Sequence, residues 1–313
     1  MDGTQRSPVV EQALWRRLAP FVVATVLLAW VLRDIDRADL RASLHHVRLP
    51  HYLGVLIALA AATLVIDVAT SLAIYRRMLG PLRFADLLAV RAASFLPGLI
   101  NYHVGQAWLT WVLVRRRGND LHRAVGATLV INATTLAALM TITALAMLRG
   151  PPVGVDWLLA LVIVGVIGAL TYLAVLALRP AALLSRRSLA PIFELGVRGH
   201  LWAFAIRLPS VVASFAVVWI PLRCFGVDIP LLDALRVVPP VVVLAALPIT
   251  PAGLGTRDAV AAALLVGFAA GSPEQQRATI VACTLTTAIG LSVIQLVVAL
   301  LFIPRARRLQ RTG

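Results

Sequence analysis

Two short stretches of this 313-residue chain place polar and ionisable side chains where an apolar run is broken by proline and glycine. The first, FLPGLINYHVGQ, sets Asn101, Tyr102, His103 and Gln106 behind Pro97 and Gly98. Amide, hydroxyl and imidazole groups so spaced can hydrogen-bond a phosphate or hydroxylated head group, and His103 can switch charge near neutral pH. The same four side chains can instead only satisfy backbone groups bared by the break. The second stretch, ALPITPAGLGTRD, gathers Thr250, Gly253, Gly255, Arg257 and Asp258. Its glycines let a backbone approach a ligand closely. A helix beginning near Gly255 would aim its positive end at an anion, and Arg257 suits two-point contact with phosphate. Asp258 either pairs with Arg257 to cap that helix or titrates as a coupling proton site.

Two further charges, Asp67 and Arg207, interrupt long apolar runs at corresponding places in the two halves of the chain. An isolated charge at the centre of a membrane helix costs about 2.5–3.5 kcal/mol or more. The two are expected to pair across the halves or to face a cavity, with snorkelling of Arg207 toward the inner interface as the alternative. Asn132 and Gln295 read as interhelical hydrogen-bonding residues. The remaining acids of the apolar regions, Asp86, Asp233 and Asp258, are widely separated in sequence, with no pair spaced for a metal or for acid–base work. No G-x-x-x-x-G-K-[ST] loop is present, so ATP is not the direct driver of any movement. Cys224 and Cys283 have no second Cys or His at ligand spacing. No enzyme activity and no cofactor is expected.

Membrane helices are the elements that must hold these residues. The chain is 60% hydrophobic and 14% charged, with a mean hydropathy of +0.89. Its 29 basic residues are all arginine, and the net charge is +15. They lie in short runs between apolar stretches, as flanking charges of membrane helices do, so nucleic acid is not an expected partner. Six stretches are long enough to cross the bilayer: about 18–32, 52–75, 124–148, 157–178, 201–222 and 278–303. The first follows Arg16 and Arg17 and lacks a small-x-small cleavage site, so it reads as an uncleaved span.

Two more regions, 84–116 and 231–270, are apolar but broken. Arg76, Arg77, Arg83 and Arg91 precede the first, and Arg115, Arg116, Arg117 and Arg123 follow it, so both its ends favour the cytoplasm. That predicts a re-entrant hairpin meeting near PGLINYH. Pro239, Pro240, Pro248, Pro251, Gly253 and Gly255 mark the break in the second, which enters from the outer face. Both ends of the chain then lie inside, although Arg33, Arg37, Arg41 and Arg48 crowd an outer loop against the rule. The predicted fold is an all-α polytopic membrane protein with about six spans, two re-entrant hairpins and two inverted repeats, an arrangement used for alternating access. Eight or more plain spans, two of them kinked, is the alternative.

These two tips resemble the flippase-like transmembrane domain of lysylphosphatidylglycerol synthases. PAGLGTRD at 251–258 is similar to that family's Pro-Gly-Gly-Leu-Gly-x-x-Glu run, with Ala252 for a glycine and Asp258 for the glutamate. FLPGLINYHVGQAWL is similar to its Leu-Pro segment followed by Gly-Glu and an arginine, with Gln106 for the acid and Leu109 for the arginine. The resemblance covers about residues 15–303. It implies one transmembrane domain over 18–303, with repeat-like halves about 18–148 and 157–303. A cytoplasmic segment 1–17 and a basic cytoplasmic tail 304–313 flank it. With the sequence ending at Gly313, a free-standing member without the synthase's transferase domain is expected.

The function this implies is translocation of a lipid in a bacterial or archaeal cytoplasmic membrane. The expected substrates are membrane lipids carrying an anionic phospholipid or polyprenyl-phosphate head group, bound at the two tips. An intramembrane lipid-modifying enzyme, or an accessory partner of a separately encoded lipid or glycan synthesis enzyme, is the alternative.

Overall fold

The computed structural model describes residues 42, 47–117, 120–148, 150, 156–184, 186–187, 189–246 and 256–311. Every regular element among these residues is helical. Apolar sequence in lipid folds this way because a helix satisfies its own backbone within one segment. In chain order the helices are α1 (Leu49–Leu79), α2 (Phe84–Ala93), the single turn α3 (Phe95–Gly98), α4 (Tyr102–Arg117) and α5 (Leu121–Met147). Then follow α6 (Asp156–Leu178), the short α7 (Ala181–Leu184), α8 (Ala190–Cys224), α9 (Leu231–Ala246), α10 (Thr256–Leu265) and α11 (Pro273–Arg311). A 3-10 turn at Val266–Phe268 joins the last two.

Five of these helices, α1, α5, α6, α8 and α11, are long and apolar enough to cross a membrane. The expected spans 52–75, 124–148, 157–178, 201–222 and 278–303 correspond to them, mostly as parts of longer helices. The chain is a multi-pass membrane protein. The expected span 18–32 lies outside the described residues. Helix α6 is apolar on all sides, with only 11% of its spanning window buried, and presents Ile163, Val164, Ile167 and Leu170 outward.

The first broken region is broken, and in the second the stretch 247–255 lies outside the described residues. Helix α2 has 10 residues and α4 has 16. At 1.5 Å per residue they reach roughly 15 and 24 Å, short of the roughly 30 Å hydrocarbon core. Pro239 and Pro240 do not break the second region, since α9 runs through both. The loss of two backbone donors is tolerated in membrane helices whose neighbours re-satisfy the freed groups. The expected helix start near Gly255 lies outside the described residues, which resume within α10 at Thr256. Arg76 and Arg77 belong to the last turn of α1 rather than to a loop, where cations favour the negative helix end. Inside α8, Gly196 adopts φ +63°, a joint that glycine takes without strain.

Helices α1 and α8 pack along each other. Helix α2 lies against α11, and α9 against α5, so each broken region leans on the last long helix of the other half. Two apolar cores form at opposite ends of the α1–α8 pair. One gathers Tyr52 and Leu56 with Phe215 and Leu222, the other Val68, Leu72 and Tyr75 with Phe193 and Ala203. Side-chain bonds tie the helices at both levels: Tyr52 Oη to Thr287 Oγ1 at 2.7 Å, Tyr75 Oη to Thr128 Oγ1 at 3.1 Å and Thr110 to Thr128 at 2.9 Å. Between these cores, Val211 of α8 packs with Leu139 and Met140 of α5 and Val243 of α9.

Candidate functional site

The mid-level of the α1–α8 pair holds a buried charge cluster. Asp67 stands on α1 and Arg207 at the centre of α8. The Asp67 Oδ1 accepts from Arg207 Nη1 at 2.8 Å, and its Oδ2 accepts from Arg91 Nε of α2, also at 2.8 Å. The three side chains are only 15%, 5% and 15% exposed for Asp67, Arg207 and Arg91. Charges so far from water persist only when paired and hydrogen-bonded. Helical spacing supplies the remaining bonds: Thr70 and Ser71 sit three and four residues after Asp67, on the same face. Arg207 Nη1 donates to Thr70 Oγ1 at 2.8 Å and Ser71 Oγ at 3.0 Å. Its Nε donates to Thr135 Oγ1 of α5 at 3.0 Å.

Arg207 is therefore directed into the protein and does not snorkel. It and Asp67 form the expected pair between halves, and both also face a cavity. Arg91 was counted above among cytoplasmic loop charges; the structure instead puts it inside the cluster. The reason is tertiary: only the fold back of α2 onto α1 brings residue 91 to residue 67.

The cluster closes one side of a cavity of about 760 Å³. Its polar margin comprises Asp67, Arg91, Arg207, Ser210, Tyr102 and His103; its flank is formed by aliphatic residues such as Leu64, Leu136, Val217, Val242, Ile294 and Val298. Ile57, Val65 and Leu136 on the lining are about half exposed, so the apolar flank is continuous with the outer apolar surface. Asn132 and Gln295 line this cavity too, and neither bonds another helix among the described residues. The interhelical bonds expected of them are made by Tyr–Thr and Arg–Asp pairs. Beyond the cluster lies a niche of about 20 Å³, bordered by Ser71, Tyr75, Tyr102, Gln106 and Leu109, room for about one water.

The first tip is thus split between two roles. Tyr102 and His103 face the cavity, whereas Asn101 caps α4, its Oδ1 accepting from the His103 N–H at 2.8 Å. Gln106 faces the niche and donates to Tyr102 Oη at 2.7 Å. Gly105 is where α4 crosses the preceding turn. A Cβ there would lie 2.8 Å from the Ser94 carbonyl oxygen and 3.0 Å from the Gly98 Cα, so no larger residue fits without moving backbone.

At the second tip, Thr250, Gly253 and Gly255 lie outside the described residues. Arg257 donates from Nη2 to the Thr284 carbonyl at 2.6 Å and stands 3.8 Å from the fully buried Asp258. This arrangement fastens the first turn of α10 to α11, and neither residue lines the cavity. The other acids of the apolar regions also face arginines, Asp233 with Arg236 at 3.1 Å and Asp86 with Arg305 at 3.9 Å.

Thr70, Ser71, Thr135 and Ser210 were not singled out from the residues. A signal for some of them existed: Asp67, Thr70 and Ser71, and likewise Arg207, Ser210 and Ser214, recur at helical spacing as a polar stripe on an apolar span.

In comparison with known proteins, the family model described as the lysylphosphatidylglycerol synthase TM region matches residues 17–294. Searches of curated proteins and of solved structures each found no match.

Proposed function

The chain belongs to the family of the lysylphosphatidylglycerol synthase TM region, and from that premise we propose that it translocates a phospholipid or a polyprenyl-phosphate-linked lipid between the leaflets of a bacterial or archaeal cytoplasmic membrane. The observation that carries this reading is the amphiphilic cavity at mid-level, charged on one margin and aliphatic on its flank. A polar head group fits against the charged margin while its tails remain in the bilayer. Clefts of this size are ordinary for organic ligands, and ionisable groups at such depth belong to substrate pathways by default.

Movement is read as alternating access. The short helices α2 and α4, and α9 and α10, form two re-entrant hairpins within inverted repeats, with both chain termini cytoplasmic. What supports this is the shortness of α2 and α4 and the exchanged packing of α2 on α11 and α9 on α5. Rocking one repeat against the other would open the cavity to each side in turn. The protein acts without catalysing a covalent step, and a separately encoded lipid or glycan synthesis enzyme is its proposed partner.

The test is translocation in proteoliposomes carrying labelled phospholipids and polyprenyl phosphates in parallel, with Ala61→Trp, a substitution on the cavity lining, as the control that fills the cavity without altering a charge. The wild-type protein should move one lipid class and the variant should not. Absence of movement by a folded wild-type protein, or equal rates for the two proteins, refutes the reading.

A further inference from the structure

The two arginines of the charge cluster are not equivalent, and their difference points to a ligand. Arg207 gives two of its three nitrogens to protein, Nη1 to Asp67, Thr70 and Ser71 and Nε to Thr135, which leaves Nη2 alone without an acceptor among the described residues. Arg91 is more open. Only its Nε has a protein acceptor, the Asp67 carboxylate. Its plane rests near the Phe95 ring, 5.6 Å from Cζ to centroid. No described residue accepts from its Nη1 or Nη2, and the side chain borders both the cavity and the niche. The terminal edge of a guanidinium carries parallel N–H donors matched to two oxygens of a phosphate. Fixing Nε and the ring face leaves that edge already oriented, so little freedom is lost on binding.

Charge points the same way. Two guanidiniums and one carboxylate leave one positive charge in excess at a site shielded from water, so a single negative charge neutralises the cluster. We infer that the Arg91 guanidinium edge is the binding site for a phosphodiester monoanion borne by a lipid, with the Asp67–Arg207 pair as the anchor that positions it. The inference rests on the lipid reading above and narrows it. A phosphodiester carries the one negative charge that fits. A zwitterionic head group would bring an ammonium toward two arginines, and like charge at a desolvated site is rejected. The aliphatic flank favours a lipid over a soluble anion. Neither family motif contains Arg91. The first motif's own charged positions are Gln106 and Leu109 here, so the anion is received from the preceding helix α2.

The test uses the whole protein in nanodiscs of phosphatidylcholine. Binding is measured for fluorescent phosphatidylglycerol, for fluorescent phosphatidylcholine with identical tails, and for dimethyl phosphate as the soluble head group. Phosphatidylglycerol should bind the wild-type protein most tightly. Arg91→Gln should weaken it by about 10- to 100-fold, the loss of a charge-assisted hydrogen bond, and leave phosphatidylcholine unchanged. Arg91→Lys keeps the charge beside Asp67 and loses the planar edge, so it should fall between the two; it replaces the glutamine variant should that fail to fold. Equal affinity of a folded Arg91 variant and wild type for phosphatidylglycerol overturns the site. So does wild-type protein that does not distinguish the two lipids. Dimethyl phosphate binding as tightly as phosphatidylglycerol overturns the lipid assignment. Translocation measured alongside separates the two proposals: Arg91-dependent binding without translocation refutes transport and keeps the site, and translocation indifferent to Arg91 does the reverse.

Discussion

Removing Asp67 should damage this protein more than removing Arg207, and removing both should damage it less than the two losses summed. In Asp67→Asn the carboxylate that holds Arg91 and Arg207 at 2.8 Å each is gone, and two guanidiniums share a buried site. Breaking a buried pair from one side costs about 3–5 kcal/mol, a large part of the roughly 5–15 kcal/mol of a typical fold. In Arg207→Gln, Asp67 keeps Arg91, so a neutral pair remains. The loss is about 1.5–3 kcal/mol for the charge-assisted bond. Thr70 retains a backbone acceptor, the Ile66 carbonyl at 2.9 Å, so its hydroxyl is not orphaned. The double variant leaves Arg91 as the one cation and removes the repulsion that makes the first variant costly. It should therefore fall short of additivity by about 1–3 kcal/mol. Reversible unfolding in mixed micelles by dodecyl sulfate, followed by far-ultraviolet circular dichroism, gives the four free energies of the cycle. An Asp67→Asn cost under about 1 kcal/mol, or simple additivity, would show that the cluster does not hold α1, α2 and α8 together.

Four other substitutions probe the frame around the site. Gly105→Ala should cost about 1–3 kcal/mol, because its Cβ would meet backbone at Ser94 and Gly98. Gly165→Ala should cost much less, since the atom it meets is the flexible Met140 Sδ at 2.9 Å; similar unfolding midpoints for the two would contradict this. Tyr52→Phe removes the bond to Thr287, and micelle unfolding should register about 0.6–1.7 kcal/mol. Arg257→Ala should destabilise by about 1.5–3 kcal/mol through loss of the bond to the Thr284 carbonyl, with phosphatidylglycerol binding in nanodiscs unchanged; weakened binding by a folded variant would make Arg257 a ligand.

The long apolar stretches were legible because hydropathy and length are local properties. Each of the five that the structure describes forms a helix at the place the residues indicated, and the family motifs at 97–109 and 251–258 were readable in the same way. The breaks were legible in kind but not always in position. Pro239 and Pro240 look like an interruption and sit inside α9, because neighbouring helices can satisfy backbone groups that a single segment cannot. Asn132 and Gln295 look like interhelical bridges and face a cavity. Their composition says that they need polar surroundings, not whether those are a helix or an open space.

What the sequence determined by itself is the solvent of this protein: sixty per cent apolar residues in runs of membrane length can only satisfy their backbone as helices in lipid, and Asp67 and Arg207 within those runs require partners. What only the tertiary structure decided is which partners and on what site. Arg91 lies 24 residues from Asp67 and beside other arginines that read as one loop, yet the return of α2 onto α1 lifts it away from them into the cluster. The imbalance between Arg207, with Nε and Nη1 both held by protein, and Arg91, held through Nε alone, follows from that one fold back, because hydrogen bonding depends on distances between helices and no spacing along a chain records them.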